Sequence, residues 1–170
     1  MNASKKSRFA AIAAAALFSV GTLNVHAYQA PSGPPDWTIP FDAGMVCQFP
    51  ATWEGWAGKT NTREYTDADG NQHFVVTGKG HDFRITNPTN GKVAFQMSQG
   101  VRQHIVVYTD GSLKYTTDGA LMLGMFPTDI PAGPTTTYYN GHTVLTIRAD
   151  GVGTLEVATG HTRDICAELN

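Results

Sequence analysis

QHFVVTGKGHDFRITNPTNGKVAFQMSQGVRQHIVVYTDGSLKYTTDG, residues 72–119, decides the fold. Short runs rich in Val, Ile, Phe, Tyr and Thr alternate with turn signals. Those signals are Asn87-Pro88-Thr89-Asn90-Gly91, Asp110-Gly111 and Asp118-Gly119. Asn-Gly and Asp-Gly favour tight hairpins because both central residues take positive φ there. The run 101–108 shows the period: Arg102, His104, Val106 and Tyr108 fall on one face, Val101, Gln103, Ile105 and Val107 on the other. The second face is the more apolar and is expected to be buried.

The same rhythm continues on both sides. Asp67-Ala68-Asp69-Gly70-Asn71 precedes the stretch; Asn140-Gly141 and Asp150-Gly151 follow it. Between the turns, strands are expected at 45–56, 63–66, 72–79, 82–87, 92–98, 101–109, 112–117, 120–126, 142–149 and 154–159. No segment sustains an i, i+3, i+4, i+7 pattern, so helix is expected only as a short turn near 164–169. Composition agrees. Charged residues are 15% of the 170, against a usual ~25%, and Gly numbers 18 and Thr 21. Eight to ten short antiparallel strands imply a sandwich or a small barrel. Hairpin connections and the removal of open edges favour an all-β, single up-and-down antiparallel β-barrel of about eight strands. The segment PTDIPAGP, residues 127–134, is expected to be its one wide loop.

The N-terminal part reads as an address. Lys5, Lys6 and Arg8 precede the apolar run 9–20, and Val25-His26-Ala27 closes it in a small-x-small pattern. This is the layout of a signal peptide for general secretion, cleaved after Ala27. The 12-residue run is too short for the ~20 residues a bilayer span needs. The domains are then a signal at 1–27, a Pro-rich leader at 28–44 read as an extended linker, and a barrel at 45–170. Residues 28–170 keep nine of the twelve Lys and Arg and all fourteen Asp and Glu, a net charge of −5. No basic field draws nucleic acid or anionic lipid, and no transmembrane segment is expected in the mature chain. Export also places Cys47 and Cys166 where thiols oxidise, and one bridge between them is expected.

Val46-Cys47-Gln48-Phe49-Pro50 opens the domain and Asp164-Ile165-Cys166-Ala167 closes it, with Asn87-Pro88-Thr89-Asn90-Gly91-Lys92 and Asp110-Gly111-Ser112 between. This layout resembles a group of small secreted β-proteins of actinobacteria, most without an assigned activity. The resemblance runs from residue 45 to the end and brings no catalytic residue with it. The strand rhythm is similar to the barrel of allene oxide cyclases and dirigent proteins, which implies a fold, not an activity.

Chemistry-bearing motifs are few. There is no GxSxG, and after residue 27 serine occurs only at Ser32, Ser98 and Ser112. HExxH is absent, and His73, His81, His104, His142 and His161 have no metal-ligand spacing, so no metal or cofactor is expected. The 67–71 loop lacks the calcium-loop Glu, since its twelfth position is Gly78, and is read as a hairpin turn. Trp53 and Trp56 should face opposite ways unless Gly55 marks a bulge. Arg102, His104 and Tyr108 either face solvent or line a polar pocket inside the barrel. Three functions follow: a secreted binder of a small apolar molecule, a cofactor-independent cyclase or isomerase drawing on Arg102, His104 or Glu64, and an extracellular interaction protein without a ligand. An open cavity with apolar walls and no titratable group favours the first, a cavity holding a His or paired acid the second, and a filled interior the third.

Overall fold

Among the residues described by the computed structural model, Pro31 and 33–170, eleven strands form two antiparallel sheets. The expected signal at 1–27 lies outside the described residues. The smaller sheet has the order β1-β2-β5-β6, from β1 (Trp37–Phe41), β2 (Ala51–Trp56), β5 (Asp82–Thr86) and β6 (Val93–Gln96). The larger has the order β10-β9-β8-β7-β4-β3. It comprises β3 (Thr60–Thr66), β4 (Gln72–Lys79), β7 (Gly100–Val107), β8 (Leu113–Met125), β9 (Thr135–Ile147) and β10 (Gly153–Ala158). A further strand, β11 (His161–Asp164), continues along β9 beyond β10. The short helix α1 (Ile165–Leu169) starts where a helical turn was expected, and the side chain of its N-cap Asp164 accepts from the Ala167 amide.

Local turn chemistry explains most connections. Gly70, Gly91, Gly111 and Gly151, in four of the expected turns, have φ between +74° and +87°. The 67–71 loop is the β3–β4 hairpin, closed by the Asp67 amide on the Asn71 carbonyl at 3.0 Å. Residues 37–41, expected within the linker, form β1 instead. Pro40 pairs with Thr52 on this outermost strand, the position a residue without an N–H tolerates. Gly55 carries no bulge. It pairs regularly with Trp37 and Phe83, so Trp53 is buried while Trp56 lies on the outer face under the Arg84 guanidinium.

The two sheets enclose one core. Trp53, Ile85 and Ala94 of the smaller sheet pack against Met122 and Tyr138 of the larger, with Val46, Ile165 and Leu169 closing the end. Ile85, Ile165, Leu169 and Val46 are at most 1% exposed. Each such side chain contributes about 1.5–3 kcal/mol through removal from water. Cys47 and Cys166 are bonded, as expected, and pin the chain before β2 to α1 across 119 residues of sequence.

The barrel is not closed, and the strand count exceeds eight. Asp118-Gly119 and Asn140-Gly141, both expected to be turns, lie mid-strand and face each other, Gly119 opposite Gly141. The three strands expected at 112–117, 120–126 and 142–149 thus fall within one hairpin of two 13-residue strands, whose turn is the 126–134 loop. Gly119 has φ +106°, and a Cβ there would come within 2.3 Å of the Gly100 carbonyl. A Cβ on Gly141 would meet the Thr159 carbonyl at 2.1 Å. Both strands are therefore crowded by backbone at their midpoint, and the hairpin bends there. A straight strand would separate the two ends by about 40 Å. Instead Leu123 and Met125 from one end and Leu145 and Ile147 from the other line a single cleft of ≈100 Å³. The returning loop makes only one bridge, Ile130 to Thr154, supported by Asp129 accepting from Gly153 at 2.8 Å. A bridge replaces the ladder that barrel closure requires, so β3 and β10 remain as edges.

Candidate functional site

β7 pairs with β8 only up to Gly119. Beyond it, where the larger sheet turns under the smaller one, a cleft of ≈130 Å³ opens between them. Its walls are largely apolar, from Phe83 on β5, Val101 on β7, and Ala120, Leu121 and Met122 on β8. The polar contributions come from Gln96, Ser98, Gln103, His81 and Tyr138. Several of these are already engaged. The Gln103 amide donates to Thr117 Oγ1 at 3.1 Å, Ser98 Oγ to the Gln99 carbonyl at 2.9 Å, and Gln96 Oε1 accepts from Arg163 at 2.7 Å. Behind the cleft, His81 and Phe83 join an aromatic cluster that continues through Trp37 into the core at Trp53 and Phe41, with ring centroids 5.4–6.5 Å apart.

Tyr138 differs from these. It sits on β9 between Met122 and Arg163 of the adjoining strands and is 4% exposed, yet its hydroxyl has no hydrogen-bond partner among the described residues. Arg163 is committed to Glu168, Gln96 and the Phe95 carbonyl. Burial raises the Tyr138 phenol above its ordinary pKa, against a smaller opposing effect of Arg163, so the hydroxyl keeps its proton. A buried polar group left unpaired costs about 1–3 kcal/mol. Here that cost is concentrated on a donor that lines a cleft. The other such atom, Trp53 Nε1, belongs to the core and lines no cleft.

Arg102, His104 and Tyr108 do not line this cleft. The alternation on β7 is as the sequence implied: Val101 and Gln103, from the face expected to be buried, reach the cleft. The opposite face carries Arg102, exposed, and His104, half-buried, although Val106 on that face is the most buried residue of the strand. Tyr108 closes the β7–β8 turn through its backbone, its amide donating to Ser112 and its carbonyl accepting from Gly111. Glu64 lies on β3, exposed.

His104 joins a linear array that spacing alone did not reveal. His73 Nε2 lies 2.9 Å from Asp67 Oδ2, and His73 Nδ1 lies 2.9 Å from His104 Nε2. The two imidazoles are within 20° of coplanar with centroids 5.2 Å apart, so their nitrogens point at one another rather than converging on a shared ion. With both rings neutral, His73 donates to Asp67 and accepts from His104, which leaves His104 Nδ1 as the free acceptor. Tyr65 stacks on His73 at 4.5 Å. Burial, then His73 and Arg102, lower the His104 pKa. Hydrogen bonds from His73 and Asn71 hold the Asp67 carboxyl well below the usual carboxylate range. This array lies on the side of β7 away from the cleft.

Among the described residues no group of three or more His, Cys, Asp and Glu is arranged to hold a metal ion, and no helix is long and apolar enough to cross a membrane. No protein-family model matches the chain, and searches of curated proteins and of solved structures find no match. In the sequence Tyr138 stands out only with Tyr139 and His142, as a polar-aromatic cluster for which a structural hairpin is the expectation; its place in a cleft was not legible. It lies in TTTYYNG, residues 135–141, beside an Asn-Gly read as a turn, and its orphaned hydroxyl arises only when the two sheets meet.

Proposed function

We propose that the protein is an exported binder of a small, mostly apolar molecule bearing one hydrogen-bond acceptor, held in the cleft between the sheets. The observation that carries this reading is the buried, unpartnered Tyr138 hydroxyl on an otherwise apolar wall. Ligand sites commonly combine apolar walls with a few placed polar groups. At ≈130 Å³ the cleft is below the 300–1,000 Å³ of drug-sized pockets and suits a single ring. Phe83 and Met122 would contact the ring, and Tyr138 would donate to its oxygen. The Cys47–Cys166 bridge supports an oxidising destination, as does the secretory layout of residues 1–27. The cleft contains no pair of acids; its one histidine, His81, which by itself would favour acid–base chemistry, is exposed and packs on Trp37 and Phe83, so the binding reading rests on the Tyr138 hydroxyl.

Phenol is a suitable probe. Amide NMR of the protein titrated with phenol is expected to show saturable shifts centred on Phe83, Gln96, Met122 and Tyr138. Tyr138→Phe is expected to weaken binding about 5–10-fold, the equivalent of one hydrogen bond of roughly 1 kcal/mol. Benzene should bind the two proteins equally. Shifts scattered over the surface, or equal phenol affinity for both proteins, would contradict the reading.

A further inference from the structure

Six of the nine Lys and Arg in residues 28–170 have a partner. Lys79 pairs with Asp82, Arg84 with Glu54, Lys114 with Glu156, Arg148 with Asp150 and Arg163 with Glu168, while Lys92 donates to the Asn170 carbonyl. Of the five arginines in this part of the chain, Arg63 and Arg102 alone have side chains with neither an ion pair nor a hydrogen bond among the described residues. Both line the same groove, ≈620 Å³, across β3, β4 and β7. The register explains their meeting. Arg63 lies opposite Val75, Val75 opposite His104, and Arg102 is the next residue of β7 on that face. Two strand spacings and a two-residue offset along β7, about 12 Å in all, therefore separate the arginine backbones. Val75 and Thr77 form the floor between them. Arg102 has a carboxylate directly across the ladder in Asp118, but Asp118 bonds His142 at 2.7 Å instead. In a chain with surplus acid, two guanidinium groups are thus left facing one groove.

We propose that this groove binds a carboxylate-bearing ligand between Arg63 and Arg102. The planar guanidinium fork matches a carboxylate at two points, and two forks on one groove can hold one group from both sides. The site is distinct from the cleft, since Arg102 and Gln103 point to opposite faces of β7. Two sources supply the chemistry, a small free acid and the uronate units of an acidic polysaccharide, and the open, elongated groove admits either.

The test uses amide NMR of the exported protein at constant ionic strength, with acetate exchanged for chloride in one arm and polygalacturonate added in the other. Saturable shifts confined to 61–63, 75–77 and 102–104 are expected. Arg63→Gln and Arg102→Gln should each weaken binding at least fivefold, and Arg148→Gln should leave it unchanged. Polymer binding tenfold tighter per carboxylate than acetate would assign an extended ligand; equal binding would assign a small acid. Identical shifts with chloride, or wild-type affinity in both groove variants, would overturn the proposal.

Discussion

His104 and Asp67 stand at opposite ends of a hydrogen-bonded row, and both have pKa values shifted downward in the fold. The two shifts act in separate pH windows. An unfolded histidine takes up its proton near pH 6.5, whereas folded His104 does so lower. Between those values the unfolded chain holds more protons, so stability falls as pH falls through that window. The Asp67 contribution is present above the ordinary carboxylate pKa and is lost as pH drops below it. Urea midpoints measured from pH 7.5 to 5 are therefore expected to decline less steeply in His104→Asn than in the wild type. Asp67→Asn should instead flatten the decline below pH 4. Parallel slopes for His104→Asn and wild type would refute the row as a titrating unit.

The hairpin of β8 and β9 is where local rules and tertiary structure part. Asp110-Gly111 and Asp118-Gly119 are nearly identical as signals, and the first forms a turn as read. The second pairs with Asn140-Gly141, 22 residues away, a contact that no window of local sequence contains. Elements bounded by one true turn were legible, such as β4 at its stated limits and the 101–107 alternation that brings Gln103 to the cleft. Elements that depend on that distant glycine pair were not, and neither was the division of the strands into two sheets. Gly119→Ala is expected to cost about 2 kcal/mol or more, through positive φ and collision with the Gly100 carbonyl. Gly100→Ala, where a Cβ meets nothing within 4 Å, should stay within about 0.5 kcal/mol of wild type. Urea denaturation distinguishes the two, and equal losses would remove the bend from the explanation.

At the scale of the molecule, the disulfide and the cleft depend on the same packing. Cys166 is the second residue of the helix whose Ile165 and Leu169 seal the core beneath Met122 and Tyr138. A covalent loop of 119 residues restricts the unfolded chain by about 4–5 kcal/mol in the chain-entropy account. Reduction is expected to lower Tm by about 10–20 °C at this chain length, and an unchanged Tm in reductant would argue against the bridge as a stabilising element. The cleft belongs to this scale as well, because its walls come from both sheets and its donor from β9 of the larger one. A crystal structure of the protein grown with phenol is the most direct test. The account predicts a ring between Phe83 and Met122, its oxygen within hydrogen-bond distance of Tyr138 Oη. A structure with the cleft filled only by water, or with phenol bound elsewhere, would contradict it.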